Sequence, residues 1–162
     1  MAICLGIDPG STRLGVGCIE RNGARFQLIY AETVAPPAAG EFFERLSFIS
    51  ARLGQLLDDL KPQSVAIESA FFGKNAHSAF QLGTARGVAI AACLQRKIQI
   101  FEYAPAHVKS VVTGHGRSDK DQVRKMVEAT LGQSLNIGHD ATDALAIAIC
   151  HASSMKWGQR DC

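Results

Sequence analysis

Ile3-Cys4-Leu5-Gly6-Ile7-Asp8-Pro9-Gly10 sets an apolar run directly against a chain-breaking tripeptide. The run predicts a short strand and the tripeptide a turn, because proline cannot donate to a growing ladder and Pro and Gly together favour bends. Two further strand-like stretches follow, Leu14–Glu20 and Phe26–Thr33. Between them, Arg21-Asn22-Gly23 carries the Asn-Gly hairpin signal. The chain should therefore begin as an antiparallel meander of three strands.

After Pro36-Pro37 the pattern changes. Phe42, Leu46, Ile49, Leu53, Leu56, Leu57 and Leu60 recur at helical spacing, and Pro62 follows their end. Val65-Ala66-Ile67 reads as a short buried strand ending at Glu68. A helix rich in Ala and Gly is expected over Ala76–Leu94, a fifth strand over Ile98–Phe101, and a short helix from Pro105 to Val112. Thr113–Ser118 reads as a loop, with Ser118 as N-cap of a helix over Asp119–Leu131. The last helix should start near Asp140 and reach Ser154. Hairpin strands followed by alternating helices and strands imply an α/β fold: a five-stranded mixed sheet flanked by helices, with its site at the strand ends. One domain over residues 1–155 is expected, with residues 156–162 as a frayed tail.

The composition fits that expectation. The 162 residues are 47% hydrophobic and 20% charged, ordinary globular usage that excludes disorder, collagen and coiled coil. No apolar run approaches the ~20 residues of a membrane span, and the start lacks a signal-peptide pattern. Cys4, Cys18, Cys93 and Cys150 sit in apolar runs and read as buried reduced thiols, with Cys162 left over, so a cytoplasmic location is expected. Neither the cysteines nor the five histidines show zinc-type spacing. Residues 69–125 carry nine Lys/Arg against three Asp/Glu, whereas both flanks are mildly acidic. A basic middle suits a polyanionic partner, or only a solvated surface.

Four acidic residues stand apart. Asp8 ends the first strand and Glu68 the fourth. Asp140 and Asp143 are three apart at the start of the last helix, so they face the same way. If strands one and four are parallel neighbours, Asp8 and Glu68 lie side by side, and a nearby helix start would bring all four together. Such a cluster repels itself unless a hard divalent cation neutralises it. Two Mg²⁺ ions about 3.5–4 Å apart could activate a water and stabilise the leaving oxygen of a phosphodiester. Blander readings stay open. Asp8 suits a turn, Glu68 could be solvated, Asp140 could cap its helix, and Asp143 could complement the helix dipole.

Gly6-Ile7-Asp8-Pro9-Gly10-Ser11, Ala66-Ile67-Glu68, Lys74-Asn75, Leu82-Gly83-Thr84-Ala85-Arg86-Gly87-Val88 and Asp140-Ala141-Thr142-Asp143-Ala144-Leu145-Ala146, in this order from about residue 2 to 152, closely resemble the RuvC family of Holliday junction resolvases. The resemblance implies a ribonuclease H-like fold and a homodimeric, Mg²⁺-dependent endonuclease, with Mn²⁺ as a possible substitute. Such enzymes nick a four-way DNA junction in paired, symmetric fashion through metal-activated water, leaving 5′-phosphates, in recombination and repair. It also implies RuvA and RuvB as branch-migration partners. Asp8, Glu68, Asp140 and Asp143 match the family's catalytic, metal-holding positions. Phe71 matches an aromatic that stacks on a base at the opened crossover. Lys109 and Lys120 match positions close to the scissile phosphate. Lys74, Arg86, Arg117, Arg124 and Lys125 are expected to contact the DNA backbone, Arg86 alternatively serving the subunit interface. His139 reads as a neighbour of Asp140 in register rather than a ligand.

Three rivals share some of these residues. Gly6–Thr12 also resembles the first phosphate loop of the actin and sugar-kinase superfamily, but those proteins need two lobes to enclose a nucleotide, and no G-x-x-x-x-G-K-[ST] is present. Another nuclease of the same fold is the second, such as a ribonuclease H, which lacks the Phe71 and small-residue-helix pattern, or a relative of the family acting on RNA. A junction-binding protein without catalysis would not need all four acidic positions filled.

Overall fold

A computed structural model describes residues 1–10, 12–69 and 75–155. Phe71, Lys74 and the tail 156–162 lie outside the described residues. The elements in chain order are β1 (Ala2–Pro9), β2 (Leu14–Asn22), β3 (Arg25–Val34), α1 (Phe42–Leu60), β4 (Ser64–Glu68), α2 (Ala76–Gln95), β5 (Gln99–Tyr103), α3 (Pro105–Thr113), α4 (Lys120–Leu131) and α5 (His139–Ser154). The five strands form one sheet in the order β3-β2-β1-β4-β5. β1, β2 and β3 are the antiparallel meander, and β4 and β5 add to β1 in parallel. Among the described residues no helix is long and apolar enough to cross a membrane.

Side chains alternate across the sheet and divide the interior into two layers. Leu5, Ile7, Leu14, Val16, Cys18, Val65 and Ile67 face α1 and α2, packing on Ile49, Leu53, Leu57, Ala89 and Cys93. The other face meets α3, α4 and α5 through Cys4, Ile19 and Ala66, against Val108, Val123, Val127, Leu145 and Ile149. Asp8 and Glu68 continue the Cys4-Gly6 and Ser64-Ala66 alternation, so both belong to the α5 face.

On that face the strands of the meander present glycine. A Cβ on Gly6 would lie 2.0 Å from the Ala144 carbonyl oxygen, one on Gly15 2.0 Å from that of Asp140, and one on Gly17 2.5 Å from the Leu145 nitrogen. The helix backbone thus rests on the strand backbone. α5 matches this closeness with alanines at 141, 144, 146, 148 and 152, each buried.

Several local readings shift by a residue or so. β1 extends through Pro9, which pairs with Leu14, and the turn closes behind it with the Gly10 N–H donating to the Arg13 carbonyl at 2.9 Å. In the β2–β3 hairpin Asn22 pairs with Arg25, so the central residues are Gly23 and Ala24 rather than Asn-Gly. Positive φ at Gly23 (61°) alone of the pair fits the turn that takes glycine at its first central position. β5 starts at Gln99 and runs to Tyr103, because parallel pairing with β4 continues to Glu68↔Tyr103. The N-cap of α4 is Asp119, not Ser118: its carboxylate accepts from the Gln122 N–H at 2.8 Å, while the Gln122 side chain accepts from the Asp119 N–H at 3.0 Å. Ser118 is buried, with its hydroxyl 2.6 Å from that of Thr113. Gly138 takes the N-cap position of α5, which removes capping as the reason for Asp140.

Gly6→Ala drives a methyl into helix backbone that no rotamer change can clear. Forced repacking of this kind costs about 1–3 kcal/mol or more, and each kcal/mol is worth about 2–4 °C in a chain of this size. A thermal melt of Gly6→Ala is expected to show a drop of several degrees; an unchanged Tm would mean that α5 does not lie on this floor.

Candidate active site

The site forms where three elements end together. β1 and β4 are parallel neighbours with Ile7 opposite Ile67, which makes Asp8 and Glu68 the next pair along. The first turn of α5 descends on the glycine floor beside them. Asp8, Glu68 and Asp143 line one cleft of about 320 Å³, with Lys109, Pro105 and Val108 from α3, Lys120 and Val123 from α4, and Ala146 and Ile147 from α5. Asp140 lies to the other side, lining a neighbouring groove with Arg13, Thr33 and His139. It remains close enough for its charge to act on Asp8.

The electrostatics are those of unneutralised negative charge. The Asp8 carboxyl is pushed up from 3.8 to about 7, first by burial and then by the charges of Asp143, Glu68 and Asp140, with Lys120 opposing. Glu68 is raised by burial and by Asp143, against the pull of Lys109 and Lys120. The Lys120 ammonium stands 3.3 Å from Asp143 Oδ2, and that carboxylate raises its pKa. Two lysines against four carboxylates leave the cluster net negative. Among the described residues no three His, Cys, Asp or Glu side chains are already gathered at ion-holding separation. The donor set nevertheless fits a hard cation, being all carboxylate oxygen around a surplus of negative charge.

The other basic residues divide by surroundings. Arg117 and Lys125 are exposed. Arg86 is largely covered: it pairs with Glu102 at 2.7 Å and reaches the Glu68 carbonyl at 3.5 Å, so it borders the strand end that carries Glu68. Arg124 is turned inward. Its guanidinium donates to the Leu135 carbonyl, to that of Ile137 at 3.2 Å and to Glu128 at 3.4 Å, while Glu128 accepts from the Leu135 N–H at 2.9 Å. Together Arg124 and Glu128 fasten the loop that delivers α5 to the cleft. Sequence reading missed both this fastening and the glycine floor. Gly15-Val16-Gly17 alternating with Gly6 in the paired strand was the available signal for the floor.

Carboxylates at the ends of two adjacent parallel strands, opposed by one helix across a mixed sheet, define the ribonuclease H-like class of nucleases. The comparisons narrow the class. A family model, crossover junction endodeoxyribonuclease RuvC, matches residues 4–151. The chain is 38% identical to the crossover junction endodeoxyribonuclease RuvC of Moorella thermoacetica over 98% of its own length and 96% of that protein. It is 43% identical to the protein of the same name in Chloroflexus aggregans, over 96% of each. A solved structure described as T. thermophilus RuvC in complex with Holliday junction substrate superposes with a TM-score of 0.87 at 32% identity, covering 94% of this chain and 93% of the other. The chain belongs to the RuvC family of crossover junction endodeoxyribonucleases.

The raised Asp8 pKa carries a stability consequence. Between 3.8 and about 7 the folded chain keeps a proton that the unfolded chain has lost. On this group's account, metal-free stability falls as pH rises through that window, by no more than about 4 kcal/mol. Asp8→Asn removes the effect. Melts in EDTA should show wild type losing more stability than Asp8→Asn between pH 4.5 and pH 8; parallel curves would contradict the burial and crowding of Asp8.

Proposed function

We propose that this chain resolves four-way DNA junctions by paired nicks, using Asp8, Glu68 and Asp143 as the core of a divalent-metal site and Asp140 as its outer member. The observation that carries the reading is the convergence of Asp8, Glu68 and Asp143 in one lysine-flanked cleft, in a chain that matches a junction-cutting family along nearly its whole length. Mg²⁺ is the proposed ion, two per site, with Mn²⁺ able to substitute. When bound, such ions supply a nucleophile at neutral pH and a counter-charge for the leaving oxygen.

The chain's own groups do the rest. Asp8, which feels the charges of the other three carboxylates, would be the principal residue holding the metal. Glu68 and Asp143 flank it, and Asp140 either adds a ligand or aligns the attacking water. Lys120 and Lys109 meet the cleft with positive charge, where a phosphate's negative charge grows during displacement. In the reaction a water oxygen bonds to phosphorus as the bond from phosphorus to the 3′ oxygen breaks, and the 3′ oxygen ends protonated. The product keeps a 5′-phosphate. Phe71 is proposed to stack on an unpaired base, and Lys74, Arg117 and Lys125 to hold the DNA backbone. Arg86 and Arg124 are proposed to reach that backbone only through the faces their internal partners leave uncovered.

A junction with approximate two-fold symmetry calls for two identical sites, which an isologous dimer supplies. The α2 face supports one: Phe80 and Leu94 are 67% and 61% exposed, and Gly83 and Gly87 have open space where a Cβ would stand. All four lie within about 60° on the helix. Residues 1–155 are proposed to act as one nuclease unit, in the cytoplasm, beside the RuvA and RuvB branch-migration components.

Asp8→Asn is expected to slow junction cutting by about 10²–10³-fold or more while junction affinity, read by a gel shift in EDTA, stays unchanged. Full cutting by the variant would remove Asp8 from the site. Gly87→Glu is expected to sediment as a folded monomer; a persisting dimer would place the interface elsewhere.

A further inference from the structure

The most buried histidine takes no part in the chemistry above. His151 is fully inaccessible. Its Nε2 lies 2.8 Å from the Ser64 hydroxyl and its Nδ1 lies 2.8 Å from the Tyr103 hydroxyl. Ser64 continues the chain by donating to Cys4 Sγ at 3.7 Å. The ring packs against Phe101 with centroids 4.5 Å apart, and Tyr103 stacks on His107 of α3 at 5.8 Å. Burial lowers the His151 pKa to about 4, so the ring is neutral. A neutral ring has one donor and one acceptor. With Ser64 donating onward to Cys4, both ring nitrogens of His151 are satisfied when Nε2 carries the proton and Tyr103 donates to Nδ1.

The elements joined by this network are those that carry the carboxylates. Cys4 is on β1 with Asp8, Ser64 on β4 with Glu68, and His151 on α5 with Asp140 and Asp143. Cys4 and Ser64 are direct partners in the sheet register, and Asp8 and Glu68 lie one step beyond the Ile7–Ile67 pair of the same ladder. Each strand runs four residues from the network to its carboxylate, about 13 Å. α5 runs eight residues from His151 back to Asp143, about 12 Å. The network and the acidic cluster are therefore two matched cross-sections of the same three elements. Apolar packing of alanine on glycine resists sliding weakly, since one small residue resembles the next. Hydrogen bonds resist displacement in distance and angle together, and a bond of 2.8 Å lengthened by about 1 Å is lost.

We propose that His151, held between Tyr103 and Ser64, is a positioning residue that sets the axial register of α5 against β1 and β4 and thereby the spacing of Asp143 from Asp8 and Glu68. The inference rests on the metal-site reading given above. The stacking of Tyr103 on His107 extends the same control to α3, the helix of Lys109.

The test uses the full chain and three variants, Tyr103→Phe, His151→Leu and His151→Gln, at temperatures well below each melting point. Tyr103→Phe removes only a hydroxyl and keeps the ring packing. His151→Leu removes the network, and His151→Gln restores a donor and an acceptor. Mn²⁺ binding to the DNA-free protein is read by calorimetry, junction affinity by anisotropy in EDTA, and cutting by single-turnover rate against Mg²⁺ concentration. Tyr103→Phe and His151→Leu should keep junction affinity within about two-fold, bind Mn²⁺ several-fold more weakly and need correspondingly more Mg²⁺ to cut. His151→Gln should recover most of the loss. Mn²⁺ affinity and Mg²⁺ dependence unchanged in Tyr103→Phe and His151→Leu would overturn the proposal, as would losses that only follow the unfolded fraction. Glu68→Gln serves as the separate control: normal Mn²⁺ binding and cutting by that variant would remove the metal site itself, whatever His151 does.

Discussion

The backbone-to-backbone approach of α5 onto β1 and β2 is the constraint from which the rest of the molecule follows. Gly6, Gly15 and Gly17 leave no side chain between helix and sheet. A helix ordinarily held off a sheet by side chains is here let down onto the strands, and its first turn reaches the level of Asp8. Neighbouring structure serves this approach. Alanines line α5, Arg124 and Glu128 secure the loop before it, and His151 fastens its far half to β4 and β5.

Bringing α5 so low has an electrostatic cost. Asp8 is partly desolvated among three other carboxylates, and a carboxyl at about 7 is the result. Lys120 and Lys109 offset part of this repulsion without ending it. The cluster is thus poised to take up positive charge. That is a sound basis for a cation site, since like charges crowded in a partly buried cleft persist only when something else in the fold holds them there. The apolar layers on both sheet faces supply that hold, and the cleft opens between α3, α4 and α5, where lysines can meet an anionic substrate.

Much of this was legible from the residues. The Asp8-Pro9-Gly10 stop, the strand ending at Glu68 and the three-residue spacing of Asp140 and Asp143 located the carboxylates, and periodicity located each helix within a few residues. What escaped reading depends on partners distant in sequence. Gly6, Gly15 and Gly17 show their purpose only once β1 and β2 pair. Ser118 and Asp119 are both good caps, and burial of Ser118 decided between them. His151 reads as one polar residue in an apolar helix until Ser64 and Tyr103, 87 and 48 residues away, are placed beside it. The division of Asp140 from the other three carboxylates likewise depends on how α5 is rotated, which periodicity does not settle to a single residue.

On the proposed function, β1, β4 and α5 converge to make one divalent-cation site. Anomalous diffraction from crystals of the protein soaked in Mn²⁺ tests it most directly. An anomalous peak is expected in the cleft, bound by Asp8 together with Glu68 or Asp143. A peak coordinated elsewhere, with none touching Asp8 at saturating Mn²⁺, would contradict it.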